Sequence, residues 1–248
     1  MRVLVIGGAG MVGSNTVPHL AERHAVRVLD PRPVDLDGVE SVLGDARSPD
    51  DVGAALDGVD GVVHMAAAVP RAHGYDPVAN RLAFEVNVGS LHLAMSLAAT
   101  AGARSFVHIS TMSVFEDYAR RPVDPTAAPD AAAVYGLTKR LGEQVVAALS
   151  PTLGLPACSL RLIFPTPDAD WPRWRSPENL RVREMRMRGG ARIPALAAAD
   201  LAAAVDRALE WTGPYRPFTV TADVAGASVL PDDTRTVLGW EPARVLAD

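Results

Sequence analysis

Short apolar runs rich in β-branched residues alternate along the chain with longer segments rich in alanine and leucine. A strand that is buried on both faces reads as an unbroken apolar run, and VLVI and GVVHM have this form. The alternation is typical of βαβ units and a parallel sheet. It predicts strands at Arg2–Ile6, Ala25–Leu29, Val39–Leu43, Gly61–His64, Ser105–Ile109 and Ala157–Ile163.

The segments between these strands have the length and composition of helices. They predict helices near Met11–Arg23, Pro49–Leu56, Pro77–Ala101 and Val134–Leu149. The stretch Pro122–Ala133, rich in alanine and proline, is interpreted as a surface loop rather than a domain boundary.

The character of the chain changes after Phe164. Thr166–Pro194 is rich in Pro, Arg and Trp and has no clear period, so we expect loops and short helices over a pocket. Regular patterns return farther on. They predict a helix at Ala197–Trp211, a strand at Pro217–Thr221 and a short helix at Asp232–Leu238.

Composition and charge narrow the function classes. With 248 residues, 48% of them hydrophobic, the chain is long enough for one large domain with a substantial core. A net charge of −5 argues against nucleic acid as a partner, because non-specific binding needs a basic surface. The single cysteine, Cys158, excludes an intramolecular disulfide and a cysteine cluster for a metal. We find no signal-peptide pattern, and no apolar stretch approaches the roughly 20 residues that span a bilayer, so we expect a cytoplasmic protein without a membrane partner.

A glycine run, GGAGMVG, joins the first predicted strand to the first predicted helix. This is the context in which such a pattern indicates dinucleotide binding. Gly7 is expected to make the tight turn, Gly10 to let the backbone approach the pyrophosphate, and Gly13 to let the helix pack on the strand. The helix N-terminus, near Met11 and Val12, would offer N–H groups and a positive dipole to the phosphates.

Residues at the strand ends refine the choice of cofactor. Asp30 ends the second strand, about 20 residues past the glycines, where an acid hydrogen-bonds the adenine ribose. A carboxylate there repels a 2′-phosphate, which favours NAD over NADP, although Arg32 is placed to neutralise such a phosphate. Asp45 follows the third strand and is either a contact of the adenine amino group or a solvated turn residue. Ala66, among small residues after the fourth strand, leaves room for the ribose and nicotinamide.

Tyr135 and Lys139 are four residues apart in AVYGLTKRLGEQVV, so both side chains leave the same face of one helix. A phenol beside an ammonium group is easier to deprotonate, because the positive charge favours phenolate. We therefore expect the pKa of Tyr135 to fall from about 10 toward the operating pH, where a phenolate beside a nicotinamide can take a hydroxyl proton. The glycine run and this pair together indicate an oxidoreductase.

These features predict a Rossmann-type, doubly wound parallel α/β sheet with a small C-terminal substrate-binding region. Residues 1–165 are expected to bind NAD and to carry the Tyr/Lys pair. Residues 166–248 are expected to form the substrate-binding region, packed on the rest as one compact unit.

The glycines, Asp30, VVHMAA, EVNVGS, ISTMSVF and YGLTK, in this order, resemble the extended short-chain dehydrogenase/reductases, and more closely their NAD-dependent epimerase/dehydratase branch. The resemblance implies that Tyr135 is the general base or acid and that Lys139 holds the nicotinamide ribose. It implies that Thr111, rather than Ser110, hydrogen-bonds the reacting oxygen. It also implies that Asn87 supports the geometry of the site or a proton relay.

One departure from this branch bears on the reaction. Its dehydratases follow the catalytic threonine with Asp-Glu, whereas Met112 and Ser113 stand here. The resemblance therefore disfavours dehydration and leaves epimerisation or net oxidation and reduction open.

The segment 171–192 contains seven arginines and only two acids, Glu178 and Glu184, which suits an anionic substrate. Arg192 resembles a pyrophosphate-binding arginine of the family, and Arg173 is a second candidate for substrate binding. The alternative for each arginine is a solvated side chain. Trp174 is expected either to stack on a sugar or base or to pack within the segment.

The leading hypothesis is an NAD-dependent oxidoreductase or epimerase that acts on a secondary alcohol or ketone of an anionic sugar or nucleotide sugar. The short C-terminal part and the ending LGWEP resemble the compact uronate dehydrogenases, so a sugar-acid dehydrogenase or a small-molecule ketoreductase stays open. A non-catalytic NAD sensor is a further alternative. The resemblance also implies a homodimer that pairs the helices of Asn87 and Tyr135.

Overall fold

The computed structural model describes residues 1–70, 76–118, 120–176 and 180–246. The strands of its central sheet agree with the predicted ones to within two residues at either end. The strands are β1 Arg2–Ile6, β2 Ala25–Asp30, β3 Val39–Leu43, β4 Gly61–His64, β5 Ser105–Thr111, β6 Ala157–Leu162, β7 Pro165–Thr166, β8 Trp174–Arg175, β9 Val182–Arg183, β10 Met185–Arg186, β11 Arg192–Ile193, β12 Leu196–Ala197 and β13 Arg216–Val220.

Seven of these strands form one parallel sheet in the order β13-β6-β5-β4-β1-β2-β3. The helices are α1 Gly13–Ala21, α2 Pro49–Ala55, α3 Pro77–Phe84, α4 Ser90–Thr100, α5 Val134–Leu153, α6 Ala198–Leu209 and α7 Thr234–Val237. The predicted Rossmann-type α/β architecture is therefore confirmed.

The side chains of β1 show how the sheet is covered on both faces. Val3 and Val5 belong to the core formed with α1 and α6, whereas Leu4 and Ile6 belong to the core formed with α2, α4 and α5. All four side chains are fully buried. Because successive side chains of a strand point to opposite faces, a strand between two helical layers has to be apolar throughout.

The helix predicted near Pro77–Ala101 contains one π-helical turn at Glu85–Gly89, between α3 and α4. The helical segment Pro77–Thr100 is 24 residues long and, by length and composition, apolar enough to cross a membrane, so the expectation that no stretch approaches a span is wrong. One side of the segment is buried in the protein's own core, where Leu91 and Met95 contribute to the cluster that covers β4 and β5.

The region after Phe164 divides between two parts of the molecule. α6 packs against α1, and β13 extends the main sheet beside β6, so both belong to the sheet and its helical layers. Within 166–176 and 180–194 the structure has short paired strands, β8 with β9 and β10 with β11, where we expected loops and short helices. These segments pack in an apolar cluster with Met112, Val114 and Ile163, which follow the carboxyl ends of β5 and β6. We refer to the segments as the cap. Pro122–Ala133 is a largely exposed loop, as predicted, with Val123 buried under the cap.

Candidate active site

A cavity of about 770 Å³ opens at the carboxyl ends of the central strands. Its lining includes the residues that directly follow β1 and β4 and the last three residues of β5, and the order of the strands reverses between β1 and β4. In open parallel sheets, ligands bind in the crevice at such a reversal. We refer to this cavity as the cleft.

The glycine turn at the end of β1 is shaped so that only glycine fits. Gly7 has a φ of 87°, and a Cβ added to it would lie 2.5 Å from the backbone of Ala66. A Cβ on Gly13 would lie 2.5 Å from the carbonyl oxygen of Gly8, and one on Gly10 would lie 3.1 Å from that of Gly7. Gly7, Gly10, Met11, Val12, Gly13 and Ala66 all line the cleft.

The N-terminus of α1 begins in this turn and has no side-chain cap. Ser14 N–H donates to the Gly10 carbonyl at 2.8 Å, whereas the N–H groups of Met11, Val12 and Gly13 have no backbone acceptor among the described residues and can meet a ligand. The helix dipole favours negative charge at that point. A backbone cradle that no side chain fills, next to an uncapped helix N-terminus, fits the pyrophosphate of a dinucleotide.

Asp30 and Arg32 bring opposite charges to the same end of the cleft. The buried Asp30 carboxylate accepts hydrogen bonds from the backbone N–H groups of Ala9 and Arg32, both at 3.0 Å. The Arg32 guanidinium donates to the carbonyl oxygen of Ala9 at 2.6 Å and lies with Nε 3.5 Å from Asp30. The acid predicted to meet the ribose is thus held in place, and the arginine lies directly beside it.

Asp45 also lines the cleft, but most of its hydrogen-bonding capacity goes to Arg47. Its carboxylate accepts from Arg47 Nη2 at 2.6 Å and from the Arg47 backbone N–H at 2.8 Å. The side-chain bond from Arg47 holds the pKa of Asp45 below its usual value. Arg47 also pairs with Glu85 at 3.0 Å, so Asp45 is part of a small ion-pair network at the cleft rim.

Tyr135, Lys139 and Thr111 meet at the other end of the cleft. Lys139 Nζ donates to the carbonyl oxygen of Ile109 at 2.7 Å, and the Thr111 hydroxyl, which donates to Ser113 at 3.2 Å, lies near enough to Tyr135 to affect its pKa. The next residue, Gly136, allows α5 to approach this strand end, because a Cβ there would lie 2.2 Å from the carbonyl oxygen of Ser113. The three predicted residues are therefore held together by two elements, α5 and the end of β5.

Burial sets the pKa values of the pair. Burial raises the pKa of Tyr135 to about 12, and the interaction with Thr111 offsets part of the rise. Burial lowers the pKa of Lys139 to about 8, and the charge of Glu143 acts in the opposite direction. The expected fall in the pKa of Tyr135 is therefore wrong for the chain by itself, because loss of solvation outweighs the opposing interaction with Thr111. At neutral pH the phenol is protonated and the lysine is charged.

Asn87 lies in the π-helical turn behind the cleft and does not line it. Its amide accepts from the Ala68 N–H at 2.8 Å and donates to the Ala68 carbonyl at 2.9 Å and to the Thr138 hydroxyl at 2.9 Å. These contacts tie the segment after β4 to α5. Of the two predicted roles, they support the one in which Asn87 maintains the geometry of the site.

A buried ion pair lies beneath the three residues, and the sequence analysis did not identify it. Glu143 and Arg161 form two hydrogen bonds, at 2.7 and 2.9 Å, and Ser110 Oγ donates to Glu143 at 2.7 Å. The Ser110 hydroxyl is engaged there, whereas the Thr111 hydroxyl bonds to Ser113 at the cleft lining, where a ligand can reach both. An acid one turn after Lys139, on the same helix face, was the available signal.

The two predicted substrate arginines lie outside the cleft lining. Arg192 is exposed and pairs with Glu184 at 2.7 Å, and Arg173 is exposed on the cap. The arginine of this segment that lines the cleft is Arg183. The pairing of β8 with β9 places its guanidinium over the ring of Trp174. Glu178, the other acid of the segment, lies outside the described residues.

Aromatic and apolar side chains form the wall of the cleft beyond Thr111. They are Tyr118, Phe164, Trp174 and Met185. The sequence analysis singled out only Trp174 among them, since the others come from segments without a periodic pattern.

The fold and the glycine-lined cleft define a Rossmann-type, dinucleotide-binding protein. A family model described as NAD dependent epimerase/dehydratase family matches residues 3–165, and the chain belongs to that family. The resemblance seen in the sequence is therefore confirmed. The family is NAD-dependent, and the glycine turn and Asp30 fit that cofactor.

Two curated relatives are similar to part of the chain. L-arabinose 1-dehydrogenase (NAD(P)(+)) of Haloferax volcanii is 34% identical over 176 residues, which is 65% of this chain and 66% of that protein. A 3 beta-hydroxysteroid dehydrogenase/Delta 5-->4-isomerase of Mycobacterium tuberculosis is 39% identical over 120 residues, which is 46% of this chain and 32% of that protein. The matched segments therefore leave a third or more of each relative uncovered.

Among solved structures, a mutant of uronate dehydrogenase from Agrobacterium tumefaciens, complexed with NAD, is similar in fold. The TM-score is 0.78 at 17% identity, and the match covers 98% of this chain and 85% of that one. This likeness supports the architecture of the whole chain, including the cap.

Proposed function

We propose that the protein is an NAD(H)-dependent oxidoreductase that interconverts a secondary alcohol and a ketone, with Tyr135 as the proton carrier. The observation that carries the proposal is the meeting of Tyr135, Thr111 and Lys139 in the same cleft as the glycine turn. A dinucleotide held by that turn supplies acceptance or donation of hydride when it is bound.

The residues of this chain divide the cofactor between them in the proposed complex. The turn of Gly7, Gly10 and Gly13 holds the pyrophosphate, Asp30 the adenine ribose, and Lys139 the nicotinamide ribose. Asp45 is held at the rim by Arg47 and serves the adenine end only as part of that ion pair.

The proton steps follow from the state of the side chains. In the direction of reduction, the protonated phenol of Tyr135 donates its proton to the substrate oxygen, which the Thr111 hydroxyl orients by a hydrogen bond. In the direction of oxidation, the same phenol has to lose its proton first, so its high pKa opposes this direction at neutral pH. The protonated state of Tyr135 in the chain by itself therefore favours reduction of a ketone over oxidation of an alcohol.

A net dehydrogenase or reductase is favoured over a dehydratase and over a nucleotide-sugar enzyme. Met112 is fully buried in the cap cluster, so no carboxylate follows Thr111 to manage elimination of water. Sites for a single small ligand occupy roughly 300–1,000 Å³, and this cleft of about 770 Å³ has to hold a dinucleotide as well as the substrate. A small sugar or sugar acid, as the names of the arabinose and uronate enzymes suggest, is one candidate, and an apolar ring alcohol is the second, because the cleft wall is aromatic.

A panel of substrates with NAD and NADH tests the proposal. L-arabinose, D-glucuronate, UDP-glucose and small cyclic ketones are incubated with the protein, and the nicotinamide absorbance and the products are followed. A dehydrogenase or reductase changes the absorbance in proportion to the product. An epimerase gives an inverted product without that change, and a protein that binds NADH but converts nothing supports a sensor.

We also propose a homodimer in the cytoplasm. The outer faces of α3, α4 and α5 expose or half-expose apolar side chains, among them Val78, Leu82 and Phe84, and a second copy would cover them. The buried, unpaired Cys158 is compatible with a reducing compartment. Light scattering of the purified protein gives the mass of a monomer or of a dimer.

A further inference from the structure

We propose that the substrate half of the cleft recognises a flat, apolar ring system that carries one anionic group at the end away from its alcohol or ketone. This rests on the proposed function, which it deepens by naming the substrate class. The features that carry it are a row of rings, a cation at the end of that row and a scarcity of free polar groups.

Three aromatic side chains form a continuous row along the cleft wall, which we call the ring row. Tyr118 and Phe164 have ring centroids 5.5 Å apart, and Phe164 and Trp174 have centroids 5.1 Å apart. The Arg183 guanidinium lies 5.3 Å from the centroid of Trp174. All four side chains line the cleft, so a ligand along this wall meets π faces first and a cation last.

The ring row begins at the proposed reacting centre. Tyr118 lines the cleft together with Tyr135 and Thr111. The row therefore leads from the proton carrier to Arg183. A ligand whose carbonyl meets Tyr135 would place its ring against Phe164 and its far end beside the guanidinium.

The central ring of the row belongs to Phe164, whose backbone conformation is strained. Phe164 has a φ of 44°, in the left-handed region that bulky residues rarely adopt. It lies two residues after the end of β6, is almost fully buried and packs in the cap cluster. Strained residues that the surrounding structure maintains tend to lie at functional sites, and here the strain places a ring between Tyr118 and Trp174.

Polar partners for a sugar are few in this half. Among the described lining residues beyond the glycine turn and Tyr135, Thr111 donates to Ser113 at 3.2 Å and Ser110 donates to Glu143 at 2.7 Å, which leaves the hydroxyls of Ser113 and Tyr118 and the indole N–H of Trp174. Thr111 is assigned to the reacting oxygen. A sugar would bury several further hydroxyls against rings, where an unpaired hydroxyl is costly. A flat apolar ring would bury no unpaired hydroxyl there and would contact the ring row.

Among the described arginines of the cap, Arg183 is the one that lines this half of the cleft and can meet an anionic group there. Arg175 pairs with Asp170, and Arg186 and Arg192 both pair with Glu184. Within the described part of the chain, Arg183 has no acid within salt-bridge distance, and its guanidinium is exposed at the mouth of the cleft. A carboxylate or phosphate can pair with both edges of such a group.

Calorimetric titration with NADH-saturated protein tests this class directly. The probes are 2-naphthoate, which joins a flat ring to a carboxylate, its neutral amide 2-naphthamide, and D-glucuronate. We expect 2-naphthoate to bind at least tenfold more tightly than D-glucuronate and about fivefold more tightly than the amide. Arg183→Gln should remove the preference for the anion, whereas Arg188→Gln, at an exposed position of the same segment outside the cleft, should retain it. Trp174→Leu should reduce the affinity for 2-naphthoate and for 2-naphthamide by the same factor.

Two results would overturn the inference. One is D-glucuronate binding as tightly as 2-naphthoate, and the other is an anion preference that survives Arg183→Gln. The titration of the protein with NADH alone, made first, separates this failure from that of the proposed function. If NADH does not bind, the proposed function is wrong; if NADH binds and naphthoate does not, only the substrate class is wrong.

Discussion

The ammonium group of Lys139 donates a 2.7 Å hydrogen bond to the main-chain carbonyl of Ile109, two residues before Thr111 on the same strand. The bond joins α5 to β5 at the point where the hydroxyls of Tyr135 and Thr111 meet. Either the ammonium or the neutral amine can donate this bond, and burial lowers the pKa of the lysine to about 8. The geometry of the proton carrier thus depends on a lysine whose charge is unfavourable in the folded state.

The stability of the protein should reveal that unfavourable charge. Between pH 8 and 10.5 the lysine is neutral in the folded chain and charged in the unfolded chain, so the unfolded state binds more protons and the free energy of unfolding rises with pH. Because the pKa of Tyr135 is raised to about 12, its opposing effect begins only above about pH 10. We therefore measure the free energy of unfolding of wild type and of Lys139→Met in urea at pH 8 and at pH 10. Between these two pH values, wild type should gain on the order of 1–2 kcal/mol relative to the variant.

The neighbouring histidines do not interfere in this pH range. Burial lowers the pKa of His64 to about 3 and that of His108 well below its usual value, so both are neutral throughout. A difference between the two proteins that stays constant from pH 8 to 10 would show that the lysine is not buried as the structure has it.

Removal of the Glu143 charge should disturb the site through Lys139. Glu143→Gln leaves Arg161 without its buried partner, and breaking such a pair costs about 3–5 kcal/mol of unfolding free energy. Since Glu143 also raises the pKa of Lys139, the variant should lower the pH above which stability begins to rise. Denaturant unfolding at several pH values measures both effects.

An exposed pair provides the control for this variant. Glu241 pairs with Arg235 at 3.3 Å and both side chains are more than half exposed, so Glu241→Gln should cost less than about 1 kcal/mol and leave the pH profile unchanged. Equal losses in the two variants would mean that the Glu143–Arg161 pair is solvated.

The glycine turn should tolerate no methyl group. Gly13→Ala brings a Cβ to 2.5 Å from the Gly8 carbonyl oxygen, so we expect a loss of about 1–3 kcal/mol in stability and at least a tenfold loss in NADH affinity. Gly53→Ala is the matched control, because nothing lies within 4 Å of its Cβ position in α2, and it should stabilise the helix by about 0.5–1 kcal/mol. Fluorescence titration with NADH and thermal unfolding report the two quantities. NADH affinity unchanged in Gly13→Ala would exclude this turn as the cofactor site.

Arg32 should determine how well the protein accepts NADP. Its guanidinium lies beside Asp30 at the ribose end of the cleft, where a 2′-phosphate would meet both charges. Arg32→Gln should weaken NADPH binding about tenfold and NADH binding less than twofold, since the side chain is exposed and partly screened. Parallel fluorescence titrations measure the ratio. If the affinities for NADH and NADPH fall by the same factor, Arg32 stabilises the glycine turn and does not bind the 2′-phosphate.

The parallel sheet and the order of its motifs were predictable because each depends on local signals. VLVI has to be buried on both faces, and the glycine turn follows it directly, so the ends of β1 and α1 are fixed by neighbouring residues. Tyr135 and Lys139 needed only a helix to share a face.

The cap and the substrate arginines were not predictable in the same way. Whether Arg183 or Arg192 reaches the cleft depends on two-residue strand pairings and on Glu184, which no periodic pattern encodes. The pKa of Tyr135 likewise depends on burial by segments distant in sequence. Local patterns predicted the residues of the half that we propose for the cofactor, and tertiary contacts determined the other half.

The central claim is that the Tyr135 phenol carries the proton while hydride is exchanged in the same cleft. A single-turnover measurement of NADH oxidation tests it, with the ketone that the substrate panel identifies, in wild type and Tyr135→Phe. We predict a rate constant for hydride transfer about 10²–10⁴-fold lower in Tyr135→Phe, with NADH affinity changed less than twofold. A rate constant equal to that of wild type, at unchanged NADH affinity, would contradict the assignment of Tyr135 as the proton carrier.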